Sequence, residues 1–177
     1  DVNGADGSYG LRYTLADVMG SGMTVDAFYT PLAGSGDASA EKGTSGVSGS
    51  AQEAWEVVLK GSVPGVDGLD IGLGYATTEH HNDTATTADS QDVDEGTVYA
   101  NYAFGGLKVG VQKGAYATAG TAETNYENDY LGISYAVSDA VSISYNEIES
   151  RESKKAGGDV KQDFDSISLS YTSGGMT

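Results

Sequence analysis

The stretch VYANYAFGGLKVGVQ, from Val98 to Gln112, contains two short alternating segments joined by a pair of glycines. In each segment apolar residues occupy every second position, and residues such as Asn101 and Lys108 lie between them. Alternation with a period of two is typical of β-strands. Because Gly105–Gly106 separates the two segments, the stretch predicts a β-hairpin with one apolar face and one polar face.

The same pattern recurs along the whole chain. Nine alternating runs start near residues 8, 22, 55, 69, 98, 107, 131, 141 and 166. The connections between them alternate in length: they are short at 16–22, 61–68, 105–106, 138–139 and 173–175, and long at 31–50, 78–95, 117–128 and 147–163. Outer-membrane barrels have short turns at one end and longer loops at the other. A soluble β-sandwich shares the alternation itself, because an antiparallel sheet also has one dry face.

Aromatic residues on the apolar face lie mainly at the ends of the runs. Those next to short turns are Tyr13, Tyr102, Phe104, Tyr135 and Tyr171, and those toward long loops are Tyr29, Trp55, Tyr75 and Tyr145. Two such belts with aliphatic residues between them indicate the aromatic girdles of a membrane barrel. We therefore expect an all-β fold, a transmembrane antiparallel β-barrel, with about nine strands and the start of a tenth in this chain.

The opposite face is rich in Gly, Ser, Thr, Ala and Asn, and it carries a few charges. Such small side chains would not fill a narrow barrel, so they favour a wide, water-filled one. Small residues that accommodate another packed element are the alternative. The charged residues in this phase, which we expect to line the pore, are Arg12, Asp26, Glu56, Lys60 and Lys108.

The composition excludes several classes of protein. The net charge of −17 repels phosphate backbones, so we expect no nucleic-acid partner. The chain has no Cys, which excludes disulfides and thiol chemistry. Asp92, Asp94 and Glu95 are weak candidate Ca²⁺ ligands, although their spacing is not that of an EF-hand. We expect no other cofactor.

Three stretches repeat one hairpin unit, in which a strand end, a glycine turn and an aliphatic restart follow one another. They are Met19–Val25, Phe104–Gly110 and Ser173–Thr177. With its loop asymmetry, the chain resembles the trimeric general porins of Gram-negative bacteria, particularly the porin-like group of proteobacteria. The hairpin from Ser8 to Pro31 is similar to the family's strand–turn–strand unit after the loop that folds into the channel.

The resemblance implies a barrel of sixteen strands. Residues 1–177 are then expected to be part of one barrel domain whose first and last strands are missing from the sequence. It also implies a homotrimer in the bacterial outer membrane, surrounded by lipid and lipopolysaccharide. In the family's pattern basic wall residues face acidic groups on the inward loop, and Arg12 matches that position best.

The function implied is a channel for passive diffusion of ions and small hydrophilic solutes, without catalysis. Acidic residues concentrate in the long connections, which favours passage of cations at low salt. A secreted acidic β-rich adhesin or surface-layer module remains an alternative, as does a smaller barrel of eight to ten strands. An outer-membrane enzyme would need clustered Asp, His or Ser near the long loops, but the adjacent His80 and His81 would point to opposite faces of a strand.

Overall fold

A computed structural model describes residues 10–33, 52–80, 92–118, 124–154 and 157–172 of the chain. The strands are β1 (Leu11–Leu15), β2 (Thr24–Ala33), β3 (Gln52–Ser62), β4 (Leu69–His80), β5 (Val93–Phe104), β6 (Leu107–Thr118), β7 (Thr124–Ser138), β8 (Val141–Lys154) and β9 (Val160–Tyr171). A single 3-10 turn, Val18–Gly20, follows β1. The all-β prediction is confirmed. No helix within the described ranges is long and apolar enough to cross a membrane.

The nine strands form one sheet in sequence order, and every neighbouring pair is antiparallel. The predicted hairpin is present, with Phe104 paired to Leu107 and with Gly105 at a φ of 56°, which favours glycine. β1 and β9 are the edges of the described sheet. The expected inward loop before Ser8 and the start of a tenth strand after Thr172 lie outside the described residues.

Several strands are longer than the alternating runs predict. The connections expected at 117–128 and 147–163 are largely strand, because β7 begins at Thr124, β8 continues to Lys154 and β9 begins at Val160. These added segments are mostly polar, and the apolar residues Ile148, Val160 and Phe164 occupy even-numbered positions, opposite in phase to the apolar face of the runs. The apolar period used to recognise strands is therefore missing there. The assignment of these segments to loops was wrong.

The pairing register divides the side chains into two faces. The inner wall consists of the odd-numbered positions of β5 and the even-numbered positions of the other eight strands, and the outer face consists of the remaining positions. The register shifts after Thr30 in β2 and after Ala136 in β7, so this rule holds up to those residues. Large aliphatic side chains of the outer face are exposed, as at Leu73 (56%) and Ile167 (76%). Among the described residues only Ala54 and Ala76 are buried hydrophobics. A soluble domain would instead bury such a face against a second layer.

The aromatic residues of the lower belt show how the strands tilt. Following the register from Tyr13 of β1 across eight strand steps leads to Lys161 of β9. The lower aromatic residue of β9 is Tyr171, ten positions further along the strand. The belt therefore shifts by about 33 Å along the strands over about 38 Å across them. With Tyr13 and Tyr171 at one level, this gives a tilt of about 40°, as in membrane barrels. The same register places Tyr29 only two positions from the level of Tyr13, and Tyr145 only two positions from the level of Tyr135. On β1–β2 and β7–β8 the two predicted belts are therefore not a membrane's thickness apart.

The upper belt ends in a row of carboxylates. The hydroxyl of Tyr75 donates to Asp94 at 2.6 Å. The Tyr29 hydroxyl donates to Glu53 at 3.2 Å, and the Tyr145 hydroxyl donates to Glu147 at 3.2 Å. Tyr75 also packs against Trp55, with ring centroids 5.2 Å apart. Each tyrosine thus has an apolar body beside aliphatic residues and a polar tip that contacts an acidic side chain, which is the arrangement favoured at a membrane interface.

Above this belt, the outer face of β6–β9 carries a charged rim. Its members are Lys113, Glu127, Asp129, Glu147, Glu149, Arg151, Lys161, Asp163 and Asp165. Each basic residue of the rim lies between two carboxylates: Lys113 contacts Asp129 at 3.3 Å and Glu127 at 3.6 Å. On β8, the rim positions follow Tyr145 toward the end of the strand that is away from the short turn to β7.

Lys161 of the charged rim also lies between two carboxylates. It contacts Glu149 at 2.9 Å and Asp163 at 3.3 Å. The Lys161 side chain is 49% exposed and the Glu149 side chain 30%, so each pair contributes little to stability.

The two faces predict opposite tolerance to charge in β7. Ile133→Arg, on the outer face, should destabilise the folded protein in lipid by about 2–4 kcal/mol, because a guanidinium would enter hydrocarbon. Ser134→Arg, its neighbour on the inner wall, should cost far less. Urea unfolding in lipid vesicles measures both. Equal destabilisation at positions 133 and 134 would contradict the assigned faces.

Candidate functional site

The inner wall of β1–β7 lines an open hollow of about 900 Å³. Charged, amide, hydroxyl and aromatic side chains line it together, among them Arg12, Glu56, Thr97, Gln112 and Tyr116. The hollow thus offers hydrogen-bonding groups of both kinds and charges of both signs to a solute.

Three of the five charged residues predicted for this face form one cluster. Asp26 on β2 accepts from the Arg12 guanidinium on β1, with 3.0 Å between Arg12 Nη2 and Asp26 Oδ1. The Thr14 hydroxyl donates to the same oxygen at 2.5 Å. Lys60 on β3 approaches Asp26 Oδ2 at 3.8 Å. One carboxylate therefore partners two basic side chains that stay largely exposed to the hollow.

The structure places the other two predicted residues apart from this cluster. Glu56 lies on the inner wall of β3, level with Phe28 and Ala76. Lys108 lies near the turn end of β6, level with Ala103 and Ser134. All five residues share one face, but only Arg12, Asp26 and Lys60 contact one another.

Glycines let larger side chains lie flat on the inner wall. Gly72 pairs with Tyr99, and a Cβ at Gly72 would lie 2.1 Å from the Tyr99 ring. The side chain of Asn101 covers Gly110 in the same way, with its Oδ1 2.6 Å from the position of such a Cβ. These glycines therefore accept neighbouring side chains that would otherwise extend into the hollow.

Four tyrosines of the inner wall were missed in the sequence. They are Tyr99, Tyr116, Tyr126 and Tyr130. Tyr116 and Tyr126 pack with ring centroids 5.8 Å apart, and the Tyr126 hydroxyl donates to Glu152 at 2.9 Å. The expectation that this face lacks bulk was wrong for β5–β7. Counting back by twos from Gly132 would have reached Tyr130 and Tyr126, had β7 been extended beyond its apolar run.

Two of the three candidate Ca²⁺ ligands, Asp94 and Glu95, face opposite sides of the sheet. Asp94 points to the outer face and accepts from Tyr75, whereas Glu95 belongs to the inner wall. Consecutive residues of a strand face opposite sides, so these two carboxylates cannot chelate one ion. Over the described ranges, no three His, Cys, Asp or Glu residues come together as a metal site.

Comparison with known proteins gives one family. The sequence model of the Gram-negative porin family matches residues 1–177, the full length of the chain. No curated protein matches the chain.

The contact between Gly72 and Tyr99 predicts the effect of adding one methyl group. Gly72→Ala should displace the Tyr99 ring from the wall, because the new Cβ would overlap the ring. Tyr99 should then react faster with a water-soluble nitrating reagent, as quantified by peptide mass spectrometry. Gly114→Ala is the control, since its Cβ would have no neighbour closer than 3.9 Å. Equal nitration of Tyr99 in both variants would show that Gly72 does not hold the ring.

Proposed function

The chain belongs to the Gram-negative porin family, whose members are outer-membrane channels, and we propose that it forms part of the wall of a water-filled pore. Ions and small hydrophilic solutes pass this pore by passive diffusion. The inner wall faces the water, and the outer face contacts lipid.

The contrast between the two faces carries this proposal. The outer face exposes aliphatic residues such as Val98 (49%) and Leu169 (72%). The inner wall carries the Arg12–Asp26 pair and the amide of Gln112. An exposed aliphatic face and a charged face on the same sheet are both stable when hydrocarbon covers the first and water covers the second.

We further propose that the pore prefers cations at low salt. The chain has 26 acidic and 9 basic residues. Of the basic residues predicted for the inner wall, Arg12 and Lys60 are both partnered by Asp26, which reduces their effect on a passing ion. Fixed charges act over a Debye length of roughly 10 Å at 0.1 M salt, so the preference should weaken as salt rises.

The proposed oligomeric state and cellular location rest on the resemblance to the family. We propose a homotrimer in the bacterial outer membrane, in contact with lipid and lipopolysaccharide. The chain supplies no catalytic step in this proposal, because diffusion through a pore requires only a wet path and a compatible field.

Charge substitution on the inner wall tests the ion preference. Under a KCl gradient the reversal potential should have the sign of a cation-preferring pore. Arg12→Gln should increase that preference, because Asp26 loses its closest basic partner. Lys113→Gln, which removes the same charge from the charged rim of the outer face, should change it much less. Planar-bilayer recording measures all three proteins.

Two results would count against this account. A reversal potential of anion sign in the unmodified protein would reject the cation preference. Equal shifts for Arg12→Gln and Lys113→Gln would show that the inner wall does not set the field in the pore.

A further inference from the structure

Two asparagines of the inner wall lean toward each other over a pair of glycines. In register order from β5 to β8 the row reads Asn101, Gly110, Gly132 and Asn146. A Cβ at Gly110 would lie 2.6 Å from Asn101 Oδ1, and a Cβ at Gly132 would lie 3.3 Å from Asn146 Oδ1. Both amides therefore extend over the strands that lie between them.

The space between the two amides belongs to an open hollow of about 490 Å³. Directly opposed Cβ positions of an antiparallel pair are about 5 Å apart, so the Oδ1 atoms of Asn101 and Asn146 lie within about 11 Å of each other. Gly110 and Gly132 leave the floor of this hollow free of side chains. We name the hollow lined by these four residues the amide hollow. Its volume is in the range of sites for small molecules.

Neither asparagine is engaged by the sheet. Within the described residues, the side chains of Asn101 and Asn146 have no hydrogen-bond partner. By contrast, Asn128 of the same wall accepts from the Ser150 hydroxyl at 2.7 Å. A carboxamide can both donate to and accept from a hydroxyl group. The two amides are therefore available to a solute that carries hydroxyls.

An apolar strip adjoins the two glycines on the same wall. The next register row places Tyr130 of β7 level with Ile148 of β8 and, beyond it, Phe164 of β9. Tyr130 is 39% exposed, and both Tyr130 and Ile148 line the amide hollow. The Tyr99 ring leans over Gly72 on β4, on the opposite side from this strip. Apolar side chains beside convergent amides fit a solute with an apolar face and a polar edge.

The amide hollow presents no charged side chain of the inner wall. Among the described residues that line it, only Glu147 is charged, and Glu147 belongs to the outer face, where the Tyr145 hydroxyl donates to it. Lys108 lines a neighbouring hollow of about 380 Å³. An ion in the amide hollow would lose water without gaining a charged partner, whereas a neutral polyol would exchange water for hydrogen bonds to the amides.

We propose that the amide hollow binds uncharged sugars, with one face of the sugar ring against Tyr130 and Ile148 and its hydroxyls bonded to Asn101 and Asn146. This inference rests on the proposed function, which places water on the inner wall, and it adds a class of solute. A sugar ring has C–H groups on its faces and hydroxyls at its edge, which match the two adjoining rows. A small anion that accepts from both amides is the competing occupant.

Saturation-transfer NMR measures binding of methyl β-glucoside to the protein in a detergent that contains no sugar. Asn146→Ala should weaken binding about three- to tenfold, as expected from the loss of one hydrogen bond. Tyr130→Leu should also weaken it, and Tyr130→Phe, which keeps the ring, should not. Asn128→Ala is the matched control, because it removes an inner-wall amide that does not line the amide hollow. Gluconate is the anionic probe and should show much less transfer than the glucoside.

Planar-bilayer recording of the same proteins separates this inference from the proposed function. A protein that conducts potassium current but shows no transfer to the glucoside would overturn the inference and leave the proposed function standing. Equal transfer in Asn146→Ala and Asn128→Ala, or transfer to gluconate as strong as to the glucoside, would also overturn it. Transfer that depends on Asn146 and Tyr130 in a protein that conducts no current would support the amide hollow and overturn the proposed function.

Discussion

Backbone pairing in this sheet leaves the side chains free to meet two different solvents. Each interior strand is antiparallel to both of its neighbours, so its peptide groups are satisfied along the ladder rather than by water. In hydrocarbon this is required, because an unpaired backbone group costs several kcal/mol. The outer face can then be apolar and exposed, while the neighbouring residues of the same strand, on the inner wall, carry ions and amides.

The tilt of the paired strands explains where the upper aromatic belt and the charged rim fall on each strand. Because the strands tilt by about 40°, a membrane surface crosses different register positions on successive strands. The upper belt follows this slope from Trp55 on β3 to Tyr145 on β8, and the charged rim begins just beyond it. The tyrosine hydroxyls that contact Glu53, Asp94 and Glu147 lie where the apolar band ends. The tilt accounts for the slope of the upper belt from β3 to β8, but it does not separate Tyr29 from Tyr13 or Tyr145 from Tyr135, which lie only two register positions apart.

The sequence predicted the parts of the fold that depend on local pattern. The glycine turn at Gly105–Gly106, the nine strands and the shared face of Arg12, Asp26 and Lys60 all follow from a period of two. It did not predict the polar ends of β7 and β8, because their stability comes from pairing with neighbours and not from an apolar face. Two assignments made from the sequence stay predictions. One is that the nine aromatic residues of the two belts contact lipid headgroups, and the other is that Arg12, Asp26, Glu56, Lys60 and Lys108 line a pore.

Contacts between side chains on different strands could not be predicted from the period of two alone, because they also depend on the pairing register. The composition showed many glycines, and they were interpreted as small wall residues. Only the pairing of Gly72 with Tyr99 shows that a glycine can make room for a large neighbour. In the same way, Glu56 and Glu95 are far apart in sequence, and the row that joins them passes through Ala76 on a third strand. Such arrangements depend on which residues the ladder brings level.

Spin-label accessibility along β7 tests the central claim most directly. The chain has no Cys, so single-cysteine variants from position 131 to 137 can each carry one label in lipid vesicles. We predict that labels at 131, 133, 135 and 137 are relaxed by oxygen in the lipid, and that labels at 132, 134 and 136 are relaxed by a water-soluble nickel chelate. Accessibility without a period of two, or odd-numbered positions shielded from both reagents, would contradict the account.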